Sequence, residues 1–206
     1  QVFNRLCMAQ VMEETHHLLV APKCLQNRVL DFIEEEIHHA DNNEPAYIGV
    51  KMNSLTDKTI IDKMVEASQH GVKIDLVVRG ICCLIPGIEG YTENIKVISI
   101  VGRYLEHSRI YIFGTPERDK MFISSADFMT RNMVKRVEVA TPIYDTAIKD
   151  RVRTMFGIML HDTVKGRELC RDGNYYRREK PQEESEVISS QAYFSNEAYL
   201  AASKNV

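Results

Sequence analysis

The segment AYIGVKMNSLTDKTIIDKMVEASQHGVKIDLVV, residues 46–78, carries the pattern of a strand, a helix and a second strand. Ala46 to Met52 and Val72 to Val78 are short apolar runs typical of buried strands. Between them, Asp57 to His70 carries apolar residues at helical spacing, and Gly71 stands where a glycine commonly follows a helix. A strand, a helix and a strand in this order indicate a parallel strand pair joined by a right-handed crossover. The segment therefore predicts an α/β sheet, with ligands at the carboxyl ends of its strands.

Strand and helix patterns continue on both sides of this segment. Upstream, Leu18 to Pro22 predicts a strand, and the residues after it form a helical stripe with apolar side chains every four positions. Downstream, four more strands precede a helix at Thr146 to Leu160, with Ile148 among its inward residues. The stripe consists of Leu25, Val29, Ile33 and Ile37, and the four strands are Ile95 to Ile100, Ser108 to Phe113, Lys120 to Ser124 and Arg136 to Thr141.

We divide the chain into three parts. Residues 1–17 are expected to form a helix that connects to a missing upstream domain, because the chain starts at Gln1 and reads as part of a longer protein. Residues 18–169 form the globular domain. Residues 170–206 are expected to be a polar, flexible tail that includes a terminal helical turn, since residues 179–191 (EKPQEESEVISSQ) hold few apolar side chains.

Composition and charge limit the possible classes of protein. The 206 residues are 44% hydrophobic and 27% charged, which is ordinary for a globular protein, and no apolar run approaches the length that spans a membrane. The formal charge of −3 argues against a general nucleic-acid coat. Five cysteines without C-x-x-C spacing predict neither a disulfide framework nor a zinc site, and they fit a reducing, cytoplasmic setting.

Several catalytic signatures are absent from the sequence. It contains no phosphate-binding loop G-x-x-x-x-G-K-S/T, no G-x-G-x-x-G, no H-E-x-x-H and no G-x-S-x-G. The pairs His16-His17 and His38-His39 look like metal ligands, but neighbouring side chains diverge, so we interpret them as ordinary surface or core histidines. Cys82 and Cys83 are interpreted as small buried apolar residues rather than reactive thiols.

The chemically informative stretch is GRYLEHSRIYIF, residues 102–113. In a strand, His107 and Arg109 share one face, which places an imidazole beside a guanidinium. Arg109 offers a fork for two phosphate oxygens, and His107 titrates near neutral pH as acid, base or nucleophile. The pair predicts a phosphate site. The alternative is a half-buried histidine paired with Glu106 or Asp127.

Neighbouring residues strengthen the phosphate interpretation. Residues 103–136 hold seven Lys and Arg against four Asp and Glu, a surplus of three positive charges on an acidic chain. Arg79 ends a predicted strand, where side chains are well placed to contact a ligand. The end of another predicted strand supplies groups that could orient the imidazole or cap a turn. The candidate supporting residues are Arg103, Ser124, Ser125 and Asp127.

These motifs resemble the C-terminal portion of the bacterial type 1 polyphosphate kinases, a family related in fold to the phospholipase D superfamily. The resemblance runs from Leu18 to Glu168 and implies a mixed sheet flanked by helices, forming a single domain of a larger multidomain enzyme. The matching words are VKMNSL (50–55), IDLVVRGICCL (74–84), SIVGRYLEHSR (99–109), SSAD (124–127), RN (131–132) and RVEV (136–139).

The resemblance implies reversible transfer of the ATP γ-phosphate to inorganic polyphosphate through a phosphohistidine, with Mg²⁺ accompanying ATP. Arg79 and His107 match family residues that contact ATP. Arg109 matches the lysine of the phospholipase D motif, and residues 124–127 match its G-S-x-N positions, so both are expected to line the site. An arginine in place of that lysine favours a bidentate grip on phosphate.

The sequence departs from the phospholipase D pattern because such sites need two H-x-K/R motifs, and residues 107–109 hold the only one. The resemblance implies that the phosphorylated histidine lies in the upstream domain, with His107 as a second histidine for proton transfer or phosphate stabilisation. We expect a chain that is inactive alone and works with ATP or ADP, polyphosphate, its upstream domains and further copies of itself. No nucleic acid, transmembrane segment or protein-bound metal is predicted, and peripheral membrane association is left open.

Two other functions fit the same residues. A phospholipase D-like nuclease or phosphodiesterase would share the fold and the histidine chemistry, and it would obtain its second motif by dimerisation. A non-enzymatic docking or regulatory module would hold polyphosphate or nucleotide in a basic pocket without turnover.

Overall fold

The computed structural model describes residues 17–179 and 181–203, together with Asn4 and Met8. The connecting helix predicted over residues 1–17 falls almost entirely outside these residues and stays a prediction.

The described residues form one mixed sheet of nine strands with helices on both faces, as expected. The strands are β1 (Leu19–Ala21), β2 (Tyr47–Met52), β3 (Lys73–Val78), β4 (Ile95–Ile100), β5 (Ile110–Phe113), β6 (Lys120–Ser124), β7 (Glu138–Ile143), β8 (Gly166–Leu169) and β9 (Tyr175–Arg177). The α-helices are α1 (Cys24–Asp41), α2 (Lys58–Gln69), α3 (Thr130–Val134), α4 (Thr146–Leu160) and α5 (Ser190–Ser203), with a 3₁₀ turn at Glu184–Glu186. No described helix has the length and apolar character needed to cross a membrane.

The strand order across the sheet is β1-β7-β6-β5-β2-β3-β4-β8-β9. The three central strands β2, β3 and β4 run parallel, and the other neighbouring pairs are antiparallel. The predicted crossover is confirmed, since α2 joins the parallel pair β2 and β3. Met52 lies opposite Val78 in this pair, so the carboxyl ends of the two strands meet at one edge of the sheet.

Apolar side chains cover both faces of the sheet. One face packs against α1 and α2, and the predicted stripe of α1 is buried there. The other face packs against the second half of α4 and against Phe194 of α5. Strand β5 shows the alternation that a strand imposes, with Tyr111 and Phe113 on the first face and Ile110 and Ile112 on the second.

Local sequence signals set the ends of α2. The Asp57 side chain accepts a hydrogen bond from the Ile60 N–H at 3.1 Å and caps the amino end of the helix. Gly71 follows the last turn with φ of 88°, a left-handed backbone that glycine adopts at low cost. The helix predicted at Asp57 to His70 is therefore confirmed within one residue at each end.

Some local predictions are wrong. Strand β5 begins at Ile110 instead of Ser108, because β2 ends at Met52 and the N–H of the next residue, Asn53, donates to the Asp127 side chain. His107 and Arg109 therefore precede the strand and do not share a strand face. Ile148 is 53% exposed, since the buried residues of α4 lie in its second half. Of the two neighbouring cysteines, the first packs partly against the core and Cys83 is exposed.

The predicted flexible tail is also wrong for the described residues after Leu169. Strand β9 pairs with β8 and extends the sheet, and α5 is a helix of 14 residues. A buried carboxylate fastens this region to the domain: Asp162 accepts hydrogen bonds from the N–H and hydroxyl of Ser190 and from the N–H groups of residues 164–166. The small number of apolar residues predicted a flexible tail. Polar contacts instead attach this part of the chain to the domain.

Candidate phosphate-binding site

Three cationic side chains hold the backbone around His107 at the carboxyl edge of the sheet. Arg79, Arg109 and Lys51 donate to the carbonyl oxygens of residues 106, 107 and 108 at 3.2, 3.1 and 3.1 Å respectively. Three consecutive carbonyls therefore each accept from a cation. This arrangement fixes the backbone that carries His107 and gathers three positive charges around it.

The sheet topology brings these residues together. Lys51 lies on β2, Arg79 directly follows β3, and Arg109 directly precedes β5. Strand β2 pairs with β3 on one side and β5 on the other, so the three side chains converge although they are far apart in sequence. Arg79 therefore lies at the carboxyl end of β3, where the sequence places it, while His107 and Arg109 lie at the amino end of the antiparallel strand β5.

Lys51 is the buried member of the three cations. Its side chain is 1% exposed, and its Nζ forms an ion pair with Glu106 at 3.4 Å. Burial lowers the pKa of Lys51, Glu106 opposes this effect, and the charges of Arg79 and Arg109 lower the pKa further. The ammonium group is thus held in a site that disfavours its charge, and Glu106 compensates.

Arg109 is locked by a carboxylate. Its Nε and Nη2 donate to the two oxygens of Asp127 at 3.1 Å each, and Asp127 also accepts the Asn53 N–H at 2.7 Å. Burial alone would raise the pKa of Asp127, but the hydrogen bonds from Arg109 and Asn53 outweigh it and lower the pKa. The two N–H groups of Arg109 expected to bind phosphate together instead bind Asp127, and a third binds the His107 carbonyl. Two of the five guanidinium N–H groups are left for a ligand.

The imidazole of His107 is open to solvent. Its Nδ1 lies 3.5 Å from the Asn53 side-chain amide nitrogen, and the Asn53 Oδ1 is buried with no hydrogen-bond partner among the described residues. Glu106 and Asp127 are engaged by Lys51 and Arg109. The alternative of a half-buried histidine paired with one of these carboxylates therefore does not match the structure.

The candidate supporting residues occupy different places. Ser124 accepts the Ala126 N–H at 3.0 Å and donates to the Val139 carbonyl, and Ser125 bonds to Glu138. The two serines thus stabilise the turn after β6, and the hydrogen bonds described for them do not involve His107.

Arg103 is exposed, and its guanidinium lies over the ring of Tyr104, 5.5 Å from the centroid. Only Asp127 of the four supporting candidates contacts a predicted phosphate-binding residue through a side-chain bond in the described structure.

A buried glutamine of α5 reaches the same loop. The Gln191 Oε1 accepts the Tyr104 N–H at 3.1 Å, and its Nε2 donates to the Tyr104 carbonyl at 2.8 Å and to the Glu106 carboxylate at 2.9 Å. A Cβ on Gly102 would come within 2.4 Å of this Oε1, so the loop and the glutamine fit only with glycine there. Gln191 therefore positions Glu106, which in turn pairs with Lys51.

Sequence reasoning missed several residues of this site. Lys51 had a detectable signal, because it is a charged residue inside the apolar run IGVKM. Asn53 and Glu106 lie beside the predicted motifs but have no distinctive spacing. Gln191 gave no signal, since it lies 85 residues from Glu106 in a polar stretch.

The described residues contain no group of three or more His, Cys, Asp or Glu side chains arranged to hold a metal ion. At the site itself, both carboxylates already bind cationic side chains. The donor groups present suit phosphate oxygens better than a cation. Mg²⁺ therefore stays a prediction, as a part of the ATP substrate.

A solved structure of low sequence identity shares the fold of this chain. A phospholipase D family member, Nuc from Salmonella typhimurium, superimposes with a TM-score of 0.54 over 74% of this chain and 96% of that chain, at 15% identity. At this level of identity the likeness concerns the fold alone. The chain thus has a phospholipase D-like α/β fold, as the family resemblance implied.

Sequence relatives and a second structure give the family. The family model of the polyphosphate kinase C-terminal domain 2 matches residues 18–191. The polyphosphate kinases of Bacillus cereus and Staphylococcus epidermidis are 52% and 47% identical over 174 and 196 residues, which are 84% and 95% of this chain and 25% and 26% of theirs. The crystal structure of polyphosphate kinase from Porphyromonas gingivalis has a TM-score of 0.88 at 33% identity and covers 98% of this chain and 31% of that chain.

The chain therefore belongs to the polyphosphate kinase family and corresponds to its C-terminal domain 2. It spans about a quarter of the length of the curated relatives it matches.

Proposed function

We propose that this chain supplies one wall of a polyphosphate kinase active site, where it binds the phosphates of ATP during reversible γ-phosphate transfer to inorganic polyphosphate. The observation that supports this most strongly is the state of Arg79. Among the described residues Arg79 has no carboxylate partner, and its one side-chain bond goes to the Glu106 carbonyl. Its charge therefore lies against the backbone next to the exposed residue His107, at the edge where ligands bind in such sheets.

Phosphoryl transfer depends chiefly on positioning and charge neutralisation, which are what these residues can provide. Arg79 and the two remaining N–H groups of Arg109 donate to phosphate oxygens, with the side chain of Arg109 held rigid by Asp127. ATP enters as its Mg²⁺ complex, so the metal accompanies the substrate. Homologues named polyphosphate kinase support this assignment of substrates.

The nucleophile in this proposal is a histidine of the upstream domain. One of its ring nitrogens attacks the γ-phosphorus, the bond from that phosphorus to the β,γ-bridging oxygen breaks, and ADP leaves. A terminal oxygen of polyphosphate then attacks the phosphohistidine and releases the imidazole. His107 moves a proton or stabilises charge on the transferring group, and it carries no phosphoryl group itself.

The test uses the full-length enzyme with Arg79→Gln and His107→Ala. If His107 is a general acid or base, we expect its loss to lower turnover by about a hundredfold or more. We expect Arg79→Gln to raise the KM for ATP as well as to lower turnover. The control is Arg28→Gln, which removes a charge from the exposed face of α1. Unchanged kinetics in both site variants would refute the proposal.

The same preparation separates the other functions. Hydrolysis of phosphodiesters would point to a nuclease-like activity, and binding of polyphosphate without turnover in the full-length protein would point to a docking module. Homo-oligomers and a cytoplasmic location, with or without peripheral attachment to a membrane, belong to the same proposal and need measurements of mass and fractionation.

A further inference from the structure

Two arginines face each other across the outer strands of the sheet. In the register of β8 and β9, Arg167 lies directly opposite Arg177. Both side chains are exposed, and both share a sheet face with Leu169, which packs against the α1 and α2 core. Like charges directly opposite each other in an antiparallel pair destabilise it.

Neither arginine is neutralised within the described residues. Neither forms an ion pair there, and Arg171 in the turn between the strands likewise has none. Residues 165–178 hold five Lys and Arg against two Asp and Glu, a surplus of three on a chain whose formal charge is −3. Of the two acids, Glu168 pairs with Lys96 and Arg178 at 3.9 and 3.7 Å, and it belongs to the opposite sheet face. The other, Asp172, accepts hydrogen bonds from Asn174 and Tyr176. The arginine pair therefore lacks an anion.

The arginine pair is linked to the phosphate site through Ser99 and the backbone of Arg79. Arg167 is opposite Ser99 of β4, and the Ser99 hydroxyl donates to the Arg79 carbonyl at 3.1 Å. Ser99, Arg167 and Arg177 thus form a row across β4, β8 and β9 near the carboxyl end of β4. Since neighbouring strands are about 4.8 Å apart, the row reaches about 10 Å beyond β4.

We propose that Arg167 and Arg177 form a second anion site, which holds the part of a polyphosphate chain that lies away from its reacting end. This inference rests on the proposed function, because Ser99, at one end of the row, bonds to the backbone of Arg79. A linear polyanion that leaves the phosphate site along this edge would supply the negative charge that the arginine pair lacks. A short oligophosphate would end before it reaches the pair, so the site discriminates between chain lengths.

The experiment compares long-chain polyphosphate with tripolyphosphate on the full-length enzyme. The double variant Arg167→Gln/Arg177→Gln removes both charges. The matched control Arg28→Gln/Arg151→Gln removes two exposed arginines from α1 and α4. We expect Kd for the long chain to rise about tenfold in the double variant at low salt, the scale of two exposed ionic contacts, and to converge with the unmodified enzyme at high salt.

Binding of tripolyphosphate and the KM for ATP should stay unchanged in the double variant. A second variant, Arg167→Glu, guards against misfolding, because it places opposite charges across β8 and β9 and should leave the melting temperature equal or higher. It should nevertheless weaken binding of the long chain further than either single Arg→Gln change.

Three results would overturn the inference. The first is unchanged binding of the long chain, including the case in which the double variant only self-associates, which would mean that the arginines protect a sheet edge. The second is an equal loss for long and short chains. The third is tighter arginine-dependent binding of RNA than of polyphosphate. Failure of the proposed function would look different, since the unmodified enzyme would then not elongate polyphosphate.

Discussion

Arg109 and Asp127 form a two-pronged ion pair, with guanidinium Nε and Nη2 each 3.1 Å from one carboxylate oxygen. The same carboxylate binds the backbone N–H of Asn53. The Asp127 carboxylate, in the turn after β6, thus connects the segment before β5 with the end of β2. His107 lies between the strand ends that this pair holds together.

Replacing Asp127 with Asn should destabilise the domain by about 3 kcal/mol at neutral pH, because Arg109 would lose its partner in a largely buried setting. Folding lowers the pKa of Asp127 below its ordinary value near 3.9. Its contribution to stability is therefore complete above that value and is lost as the pH falls through the pKa of the folded state. Urea denaturation at several pH values measures the difference between the two proteins.

The control for this prediction is Asp31→Asn, which breaks an exposed ion pair with Arg28. It should change the free energy of unfolding by less than about 0.5 kcal/mol. A difference between Asp127→Asn and the unmodified protein that stays constant down to strong acid would contradict the electrostatic account.

Gln191 and Gly102 should behave as one unit. Gln191→Ala removes three hydrogen bonds to the loop before His107, and Gly102→Ala forces the same glutamine away from Tyr104. Each change should lower the turnover of the full-length enzyme about tenfold, through loss of order at Glu106, with a smaller effect on the KM for ATP.

The double variant Gly102→Ala/Gln191→Ala tests the coupling. Its loss of turnover should be no larger than that of either single variant, because both remove the same contact. Losses that multiply in the double variant would show that the two residues act independently.

Substitution by alanine should lower the free energy of unfolding at Gly166 and raise it at Gly157. A Cβ on Gly166 would lie 2.2 Å from the Asp162 carbonyl oxygen, a backbone atom that cannot move without disturbing the contacts to Ser190. Gly166→Ala should cost about 2–3 kcal/mol. Gly157 has open space around its Cβ position in α4, so Gly157→Ala should stabilise by about 0.5–1 kcal/mol. Thermal or urea unfolding compares the two, and equal effects would refute the packing argument.

Variants of Lys51 and Glu106 distinguish a role in protein stability from a role in turnover. Lys51→Met should destabilise the protein, because it leaves Glu106 without its cation in a site that is 14% exposed. Adding Glu106→Gln should restore most of the stability, since no charge then stays unpaired. Turnover of the full-length enzyme should stay low in both variants, and recovery of turnover with stability would mean that Lys51 has only a structural role.

The central fold followed from short-range signals. The cap at Asp57, the glycine at 71 and the alternation along β5 depend on residues close in sequence, so pattern reasoning placed them. The start of β5 depended on where its partner strand ends, which no local pattern records. The order of α5 depends on Asp162 binding Ser190 across 28 residues, a contact with no periodic signature.

Some residues of the candidate site were likewise predictable from the sequence, and others were not. Arg79, His107 and Arg109 were identifiable because strand ends and the H-x-R spacing mark them. The ion pair between Arg109 and Asp127 was not identifiable from the sequence, because it forms only when the fold brings two loops together. Gln191 was hidden because a glutamine in a polar stretch looks like solvent-exposed sequence until its partners are known.

In the proposed mechanism this chain binds phosphates, and the phosphorylated histidine lies in the upstream domain. The most direct test incubates the 206-residue chain with γ-labelled ATP and Mg²⁺, and it records covalent label alongside binding of nucleotide and polyphosphate. The full-length enzyme, which should acquire acid-labile label, serves as the positive control. We expect the isolated chain to bind nucleotide and polyphosphate without acquiring label. Acid-labile label that disappears in His107→Ala would contradict it and would make His107 itself the phosphoryl acceptor.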